Sequence, residues 1–397
     1  MRVHCLCLSA TLSSAACNLG DSEPIDEPEP DPVLVADVAW EFTADCPPEH
    51  MIAAGSHIIT SCRTAAVGGS DLHARVLDPA TGEVVSDTIV VFAGDSSDPF
   101  GTLTLAMSDA GGLGVATRVG QDSDVGALLV PLDADAAAAG PLLAVDARVA
   151  LPAMADGRAT FLTAPLLDGT WQLEALDDGE RVTIADLGIA QTPLARAHFE
   201  GGFGVLHARP TGECDVFACW SSLVWARFDD AGTALDESEV IARFALPPEE
   251  GPGTGDIVSL VETDTGFALA ATSDAGGTTV DTIHWFRLDR EGRVASTPPV
   301  IQLENQITDF VFAALPDGEL VVTSHEVSWP HSYLNVRLLE GDEQAPVVTV
   351  PRSTPIYESA VQAVATPDGV LFLVRRWALI GAHDQESRTS AVLVQRP

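Results

Sequence analysis

The side chains best suited to chemistry lie in three late stretches of the chain. Residues 207–222 hold Arg209, Cys214, Cys219 and Trp220; residues 324–333 hold His325, Glu326, Trp329 and His331; residues 375–384 hold Arg375, Arg376, Trp377, His383 and Asp384. Imidazoles and carboxylates are ordinary metal ligands, so His325, His331 and His383 could meet a metal with Glu326 or Asp384. Their spacing matches no recognised ligand pattern, and loop histidines making local hydrogen bonds are the plainer reading. No metal and no cofactor are expected. Trp220, Trp329 and Trp377 could form an aromatic platform for a sugar or peptide, against the ordinary alternative of packing down their own loops. Arg209, Arg375 and Arg376 could grip a carboxylate in bidentate fashion. Pairing with the surplus acids of the chain is their default. The candidate ligand-binding set is therefore Arg209, Trp220, His325, Glu326, Trp329, His331, Arg376, Trp377, His383 and Asp384.

No catalytic residue is nominated. There is no G-x-S-x-G nucleophile elbow, and His325-Glu326 is followed by Val-Ser-Trp rather than by the second His of a zinc protease helix. Asp122-Ser123-Asp124 and Asp133-Ala134-Asp135 are too brief for an EF-hand loop. His198, Glu200 and His207 flank one turn, where strand alternation separates them. With 58 carboxylates in the chain, a pair facing one channel carries little weight as a glycosidase signal.

Composition narrows the choices further. The 397 residues include 58 Asp and Glu against 20 basic residues, all of them Arg, for a net charge of −38. A chain without lysine can form neither the usual phosphate-binding loop nor a pyridoxal Schiff base. The charge repels phosphate backbones, so nucleic acid is not an expected partner. Hydrophobic residues make up 46% and mean hydropathy is +0.19, enough apolar matter to fold.

The N-terminal segment reads as something other than fold. Arg2 precedes an uncharged stretch from Cys5 to Ala16 that is too short to span a bilayer. Its ending, Ser14-Ala15-Ala16-Cys17, resembles the cleavage box of bacterial lipoproteins, with Leu12 two positions before the place Leu usually takes. The resemblance implies a signal peptide over 1–16 and a lipidated Cys17. Residues 17–32 are acidic and proline-rich, the composition of an extended tether. The location implied is the cell envelope, as an outer-membrane lipoprotein or a periplasmic or secreted protein, touching membrane only through the anchor. Past the leader, Cys46, Cys62, Cys214 and Cys219 allow three pairings. Proximity in an oxidising compartment favours Cys46–Cys62 with Cys214–Cys219.

What must position the candidate residues is a repeat. A tight glycine turn leading into an apolar strand occurs at Gly55, Gly111-Gly112, Gly157, Gly201-Gly202, Gly266, Gly318 and Gly369, spaced from 44 residues (Gly157 to Gly201) to 65 (Gly201 to Gly266). Such turns are hairpin signals because glycine supplies positive φ. A second turn follows each of the first six: Leu77-Asp78 to Gly82, Leu132-Asp133 to Gly140, Leu176-Asp177 to Gly179, Phe228-Asp229 to Gly232, Leu288-Asp289 to Gly292, and Leu339-Glu340-Gly341. Each unit thus reads as four antiparallel strands A to D, with no helical periodicity. Four-stranded units at about 50-residue spacing resemble the blades of a β-propeller, seven by the turn count.

The last unit supplies only strands A, B and C before the chain ends, while residues 33–42 form a strand before the first unit begins. The expectation is an all-β, seven-bladed β-propeller over 33–397, its ring closed by that N-terminal strand. The decorated segments all connect strands B and C and so share one face, which loops of that kind commonly equip for function. The function expected is a non-catalytic, monomeric binding or scaffold module for a protein or glycan partner at the cell envelope. The alternatives are a hydrolase or lyase with His and carboxylate groups at the central channel, and a structural envelope spacer.

Overall fold

A computed structural model describes residues 34–42, 45–67, 69–92, 100–118, 126–155, 157–165, 169–177, 179–214, 219–246, 258–272, 280–296, 301–328, 331–340, 343–349, 357–380 and 384–397. All belong to the unit Val33–Pro397. The leader, Cys17, the tether and Asp122-Ser123-Asp124 lie outside the described residues.

Every regular element among the described residues is a strand. After β1 (Val35–Glu41) comes blade 1, made of β2 (Pro48–Ala54), β3 (His57–Ala66), β4 (Gly69–Leu77) and β5 (Val84–Val91). Blade 2 is β6 (Phe100–Ser108), β7 (Gly111–Arg118), β8 (Ala127–Leu132) and β9 (Leu143–Val145). Blade 3 is β10 (Arg148–Ala155), β11 (Arg158–Ala164), β12 (Gln172–Asp177) and β13 (Glu180–Asp186). Blade 4 is β14 (Pro193–Phe199), β15 (Gly202–Cys214), β16 (Cys219–Asp229) and β17 (Ala234–Leu246). Blade 5 holds β18 (Val258–Thr263), β19 (Gly266–Thr272), β20 (Val280–Asp289) and the short β21 (Val294–Ser296). Blade 6 holds β22 (Ile301–Ala314), β23 (Leu320–Ser328), β24 (His331–Glu340) and β25 (Glu343–Thr349). The start of β22 also pairs with β20, through Ile283↔Ile301, so one strand edges blade 5 before becoming the inner strand of blade 6. Blade 7 is β26 (Tyr357–Thr366), β27 (Gly369–Ile380), β28 (Asp384–Gln395) and, as its outermost strand, β1.

The ring closes as the strand count required. β1 runs antiparallel to β28 with Val35 opposite Gln395 and Ala36 opposite Val394. The core confirms a circle. Seven apolar clusters among the described residues each bridge two successive blades, and one joins the last to the first: Met51, Ile58 and Leu77 of blade 1 pack on Leu371, Leu373 and Ala391 of blade 7. Polar ties cross the same seam. The Met51 N–H donates to Gln362 Oε1 at 2.6 Å, and Arg375 Nη2 reaches the Pro48 carbonyl at 3.4 Å. Strands buried on both faces explain the near-continuous apolar runs, such as Val370–Val374 in β27.

Most of the turn glycines among the described residues obey the expected chemistry; Gly369 does not take positive φ, and in blade 2 an alanine stands in the glycine position. Gly201 at φ +82° and Gly318 at φ +83° adopt the left-handed backbone that a side chain resists. In the second turns an Asp organises the loop. Asp229 Oδ1 accepts the N–H groups of Ala231 (3.0 Å) and Thr233 (2.7 Å), and the Gly232 N–H donates to the Asp229 carbonyl (2.9 Å). Blade 2 builds the same turn from Asp133 to Ala137, with Ala136 in the glycine position at φ +57°. The turn glycine expected at Gly140 is therefore corrected to Ala136, whose fully buried methyl packs into the core between blades 1 and 2. The same hydrogen bonds give the Asp133 carboxylate a structural task, holding the turn.

Cys46 and Cys62 form a disulfide with Cα atoms 5.3 Å apart, tying the segment after β1 to β3. Cys214 and Cys219 sit opposite each other in the register of β15 and β16. Their side chains lie outside the described residues.

Candidate functional site

In each blade the A–B and C–D turns lie at one end of the ring and the B–C and D–A connections at the other. The three stretches read as decorated loops are β-hairpin extensions instead. β15 and β16 pair from Gly202↔Asp229 out to Cys214↔Cys219, β23 and β24 from Leu320↔Leu339 out to Ser328↔His331, and β27 and β28 from Val370↔Val394 out to Ile380↔Asp384. Cross-strand partners such as Glu326↔Tyr333 and Trp377↔Ser387 explain why: paired polar and aromatic residues prolong a hairpin as readily as they decorate a loop.

Arg209 lies on β15, half-exposed, and its Nη2 meets Glu237 Oε2 of β17 at 2.5 Å, the surface pairing that was its default. Trp220 is opposite Ala245, His325 opposite Leu334, Arg376 opposite Arg388 and Glu358, and Asp384 opposite Ile380. The side chains of Trp220, His325, Glu326, His331, Arg376, Trp377 and Asp384 lie outside the described residues, as do Trp329 and His383 altogether. Among the described residues no group of three or more His, Cys, Asp or Glu is placed to hold a metal.

A recess that this set did not anticipate opens at the same B–C end of the ring. Its volume is about 600 Å³, and its walls come from the inner strands of four blades: His50 and Ile52 of β2, Thr102 and Thr104 of β6, Arg148 to Leu151 of β10, and Thr192-Pro193 at the start of β14. Thr117, Gly126 and Trp171, at the B–C ends of blades 2 and 3, complete it. In a chain of charge −38 the described residues of the lining include no carboxylate. The other end of the ring differs. There a cavity of about 790 Å³ between the turns of blades 4 to 6 is lined by Glu200, Glu262 and Asp264, and Arg290 is anchored on the Asp264 carbonyl at 2.6 Å.

Local structure holds the recess groups in place. Trp171 is nearly sealed from solvent and clamped by backbone bonds, its N–H donating to Ile189 and its carbonyl accepting from Leu187. The Arg148 guanidinium lies 5.3 Å from the centre of that indole, and its Nε donates to the Pro165 carbonyl at 3.2 Å. Thr102 and Thr117 share a hydroxyl contact at 3.2 Å. The indole Nε1 of Trp171 and the Nδ1 of His50 are buried without a hydrogen-bond partner among the described residues, an arrangement that native interiors usually avoid. Burial lowers the His50 pKa from 6.5 to about 4, so its ring is neutral at pH 7.

A strained backbone underlies one wall. β10 bulges between Ala150 and Ala153, and Leu151 at its centre has φ +46°, uncommon for a residue with a side chain. Arg196 of β14 braces the bulge. Its Nη1 reaches the Leu151 carbonyl at 3.4 Å, its Nη2 donates to Thr160 Oγ1 and His198 Nε2 at 2.8 Å each, and it lies over the Phe203 ring. Burial lowers the Arg196 pKa to about 9. Burial, with that cation beside it, lowers His198 to about 4, so His198 accepts as a neutral ring.

No protein family profile matches the chain, and no curated protein matches it in sequence. Solved structures share its fold at low identity. The β-propeller domain of the trilobed protease from Pyrococcus furiosus aligns over 87% of this chain and 96% of its own at 8% identity, TM-score 0.48. The polysaccharide lyase Uly1 aligns over 90% of this chain and 92% of its own at 10% identity, TM-score 0.50. A 6-phosphogluconolactonase-like protein from Bacteroides fragilis aligns over 82% and 92% at 14% identity, TM-score 0.42. Likeness at this level is one of fold, and the chain is a seven-bladed β-propeller.

Proposed function

We propose that this chain is an exported, lipid-anchored β-propeller that acts as a non-catalytic, monomeric binding module for a glycan or protein partner at the cell envelope. The partner is received at the B–C end of the ring and seated in the recess, at the end from which the β15–β16, β23–β24 and β27–β28 hairpins extend. The observation that carries the reading is the recess itself: a concavity of ligand size whose polar groups are Arg, Thr, Trp and a neutral His. Such a set hydrogen-bonds a ligand without pairing an acid with a base. The twelve-residue uncharged stretch before Cys17 and the acidic segment after it support the anchor.

Two measurements test the reading. Affinity electrophoresis of the full chain through gels containing alginate, pectate or dextran is expected to show retardation by at least one polysaccharide, with no new reducing ends on prolonged incubation. Progressive release of products, lost in His50→Gln, would overturn the non-catalytic assignment. For the anchor, labelled fatty acid should enter the wild type and not Cys17→Ser.

A further inference from the structure

We infer that the recess is a site for the carboxylate of a small hydroxylated acid, a sugar acid being the simplest, with Arg148 as the counter-charge; this rests on the binding reading above and names its ligand class. Elsewhere in the ring arginines hold carboxylates of their own: Arg75 holds Asp87 at 2.9 Å, Arg181 holds Glu174 at 2.8 Å, and Arg227 holds Asp236 at 2.7 Å. With nearly three acids for every arginine, acid pairing is common in this chain, while Arg196 and Arg290 spend terminal nitrogens on neutral groups of the protein. Arg148 lines the recess and has no acid partner among the described residues. Its Nε is spent on the Pro165 carbonyl and one face rests on Trp171, which fixes the plane. Both terminal nitrogens lack a protein partner among the described residues. A planar fork held in this way suits a carboxylate better than a point charge would.

The rest of the lining selects among carboxylates. Among the described residues the hydroxyls of Thr104 and Thr192 have no protein partner, and those of Thr102 and Thr117 bond within blade 2, to each other. These groups donate to and accept from ligand hydroxyls. An amino acid is disfavoured, because among the described residues of the lining no carboxylate stands ready for its ammonium. A plain fatty acid would leave the threonines unused. A volume of about 600 Å³ admits one or two pyranose rings.

Calorimetric titration of the full chain with glucuronate, glucose and glucosamine at one ionic strength tests the assignment. Glucuronate should bind about 10- to 100-fold tighter than glucose, the ratio that a charge-assisted pair supplies. Glucosamine should bind no better than glucose. Arg148→Gln should erase the preference of glucuronate over glucose, with a circular dichroism spectrum and urea midpoint like those of the wild type excluding misfolding as the cause. Equal binding of all three sugars, lost together in the recess-filling variant Ala150→Trp, would overturn the carboxylate assignment and leave the recess as a binding site. Acid preference that survives in Arg148→Gln overturns it too. So does failure of glucuronate to bind at millimolar concentration, while polysaccharide retardation separately decides the wider reading.

Discussion

His50 and His198 share one consequence of burial. Each is held near pKa 4 in the folded chain against about 6.5 unfolded, so the unfolded chain takes up protons first as pH falls. The stability they lend is complete above pH 6.5 and is lost progressively down to pH 4, on the order of 2 kcal/mol for each. Urea midpoints measured from pH 7.5 to 4.5 should fall through that window, and His50→Gln with His198→Gln should flatten the slope. An unchanged slope would mean that the rings are already solvated. Asp87, paired with Arg75 and His73, is also shifted downward, but its contribution begins to fade only as pH falls into the ordinary carboxylate range, at the foot of the histidine window. The residues of the recess were the least legible in the sequence. His50, Thr102, Arg148 and Trp171 come from three blades, and no local spacing links them. The one available hint was an Arg in an acid-rich chain at the start of an inner strand.

Strands and hairpins were far more legible, because their signals are local. Glycines at Gly201 and Gly318 mark turns that only a residue tolerant of positive φ forms cheaply, and the apolar runs after them are the buried B strands. The reading slipped where another force outweighed the local signal. Ala136 bears left-handed strain because its methyl is buried, and the hairpin over Arg209 to Cys214 reads as loop because Pro210 and Gly212 punctuate it. The pairing of Cys46 with Cys62 followed from proximity, and its effect is calculable. The cross-link closes a loop of 16 residues, which in the chain-entropy account contributes about 3 kcal/mol. Cys46→Ser with Cys62→Ser should therefore lower the unfolding free energy by about 2–4 kcal/mol at constant denaturant slope. A change below about 0.5 kcal/mol would show that the D–A segment is ordered without it.

At the scale of the molecule, the decisive element is β1. Leu34 and Ala36 are buried beside Val392 and Val394 of blade 7 and Val336 of blade 6, and β1 covers what would otherwise be the open edge of β28. Deleting residues 33–42 should lower stability by several kcal/mol, Leu34 alone accounting for about 2–5 on the scale of leucine truncations. The edge left bare should recruit other chains, read as oligomers in sizing chromatography. A peptide of residues 33–42 added in trans should restore the monomer by supplying the missing strand. A truncated chain that stays monomeric with an unchanged midpoint would show that the ring holds without its clasp.

The pairing of Val35 with Gln395 also sets an order of events in time. The partners are 395 − 35 = 360 residues apart, so the final seam cannot form until synthesis is almost complete. Successive blades can stack on one another as they emerge, each pairing only with sequence neighbours, but the earliest strand has to wait for the latest. Until then the nascent arc carries two unprotected flanks, and its slowest step is the meeting of its own ends.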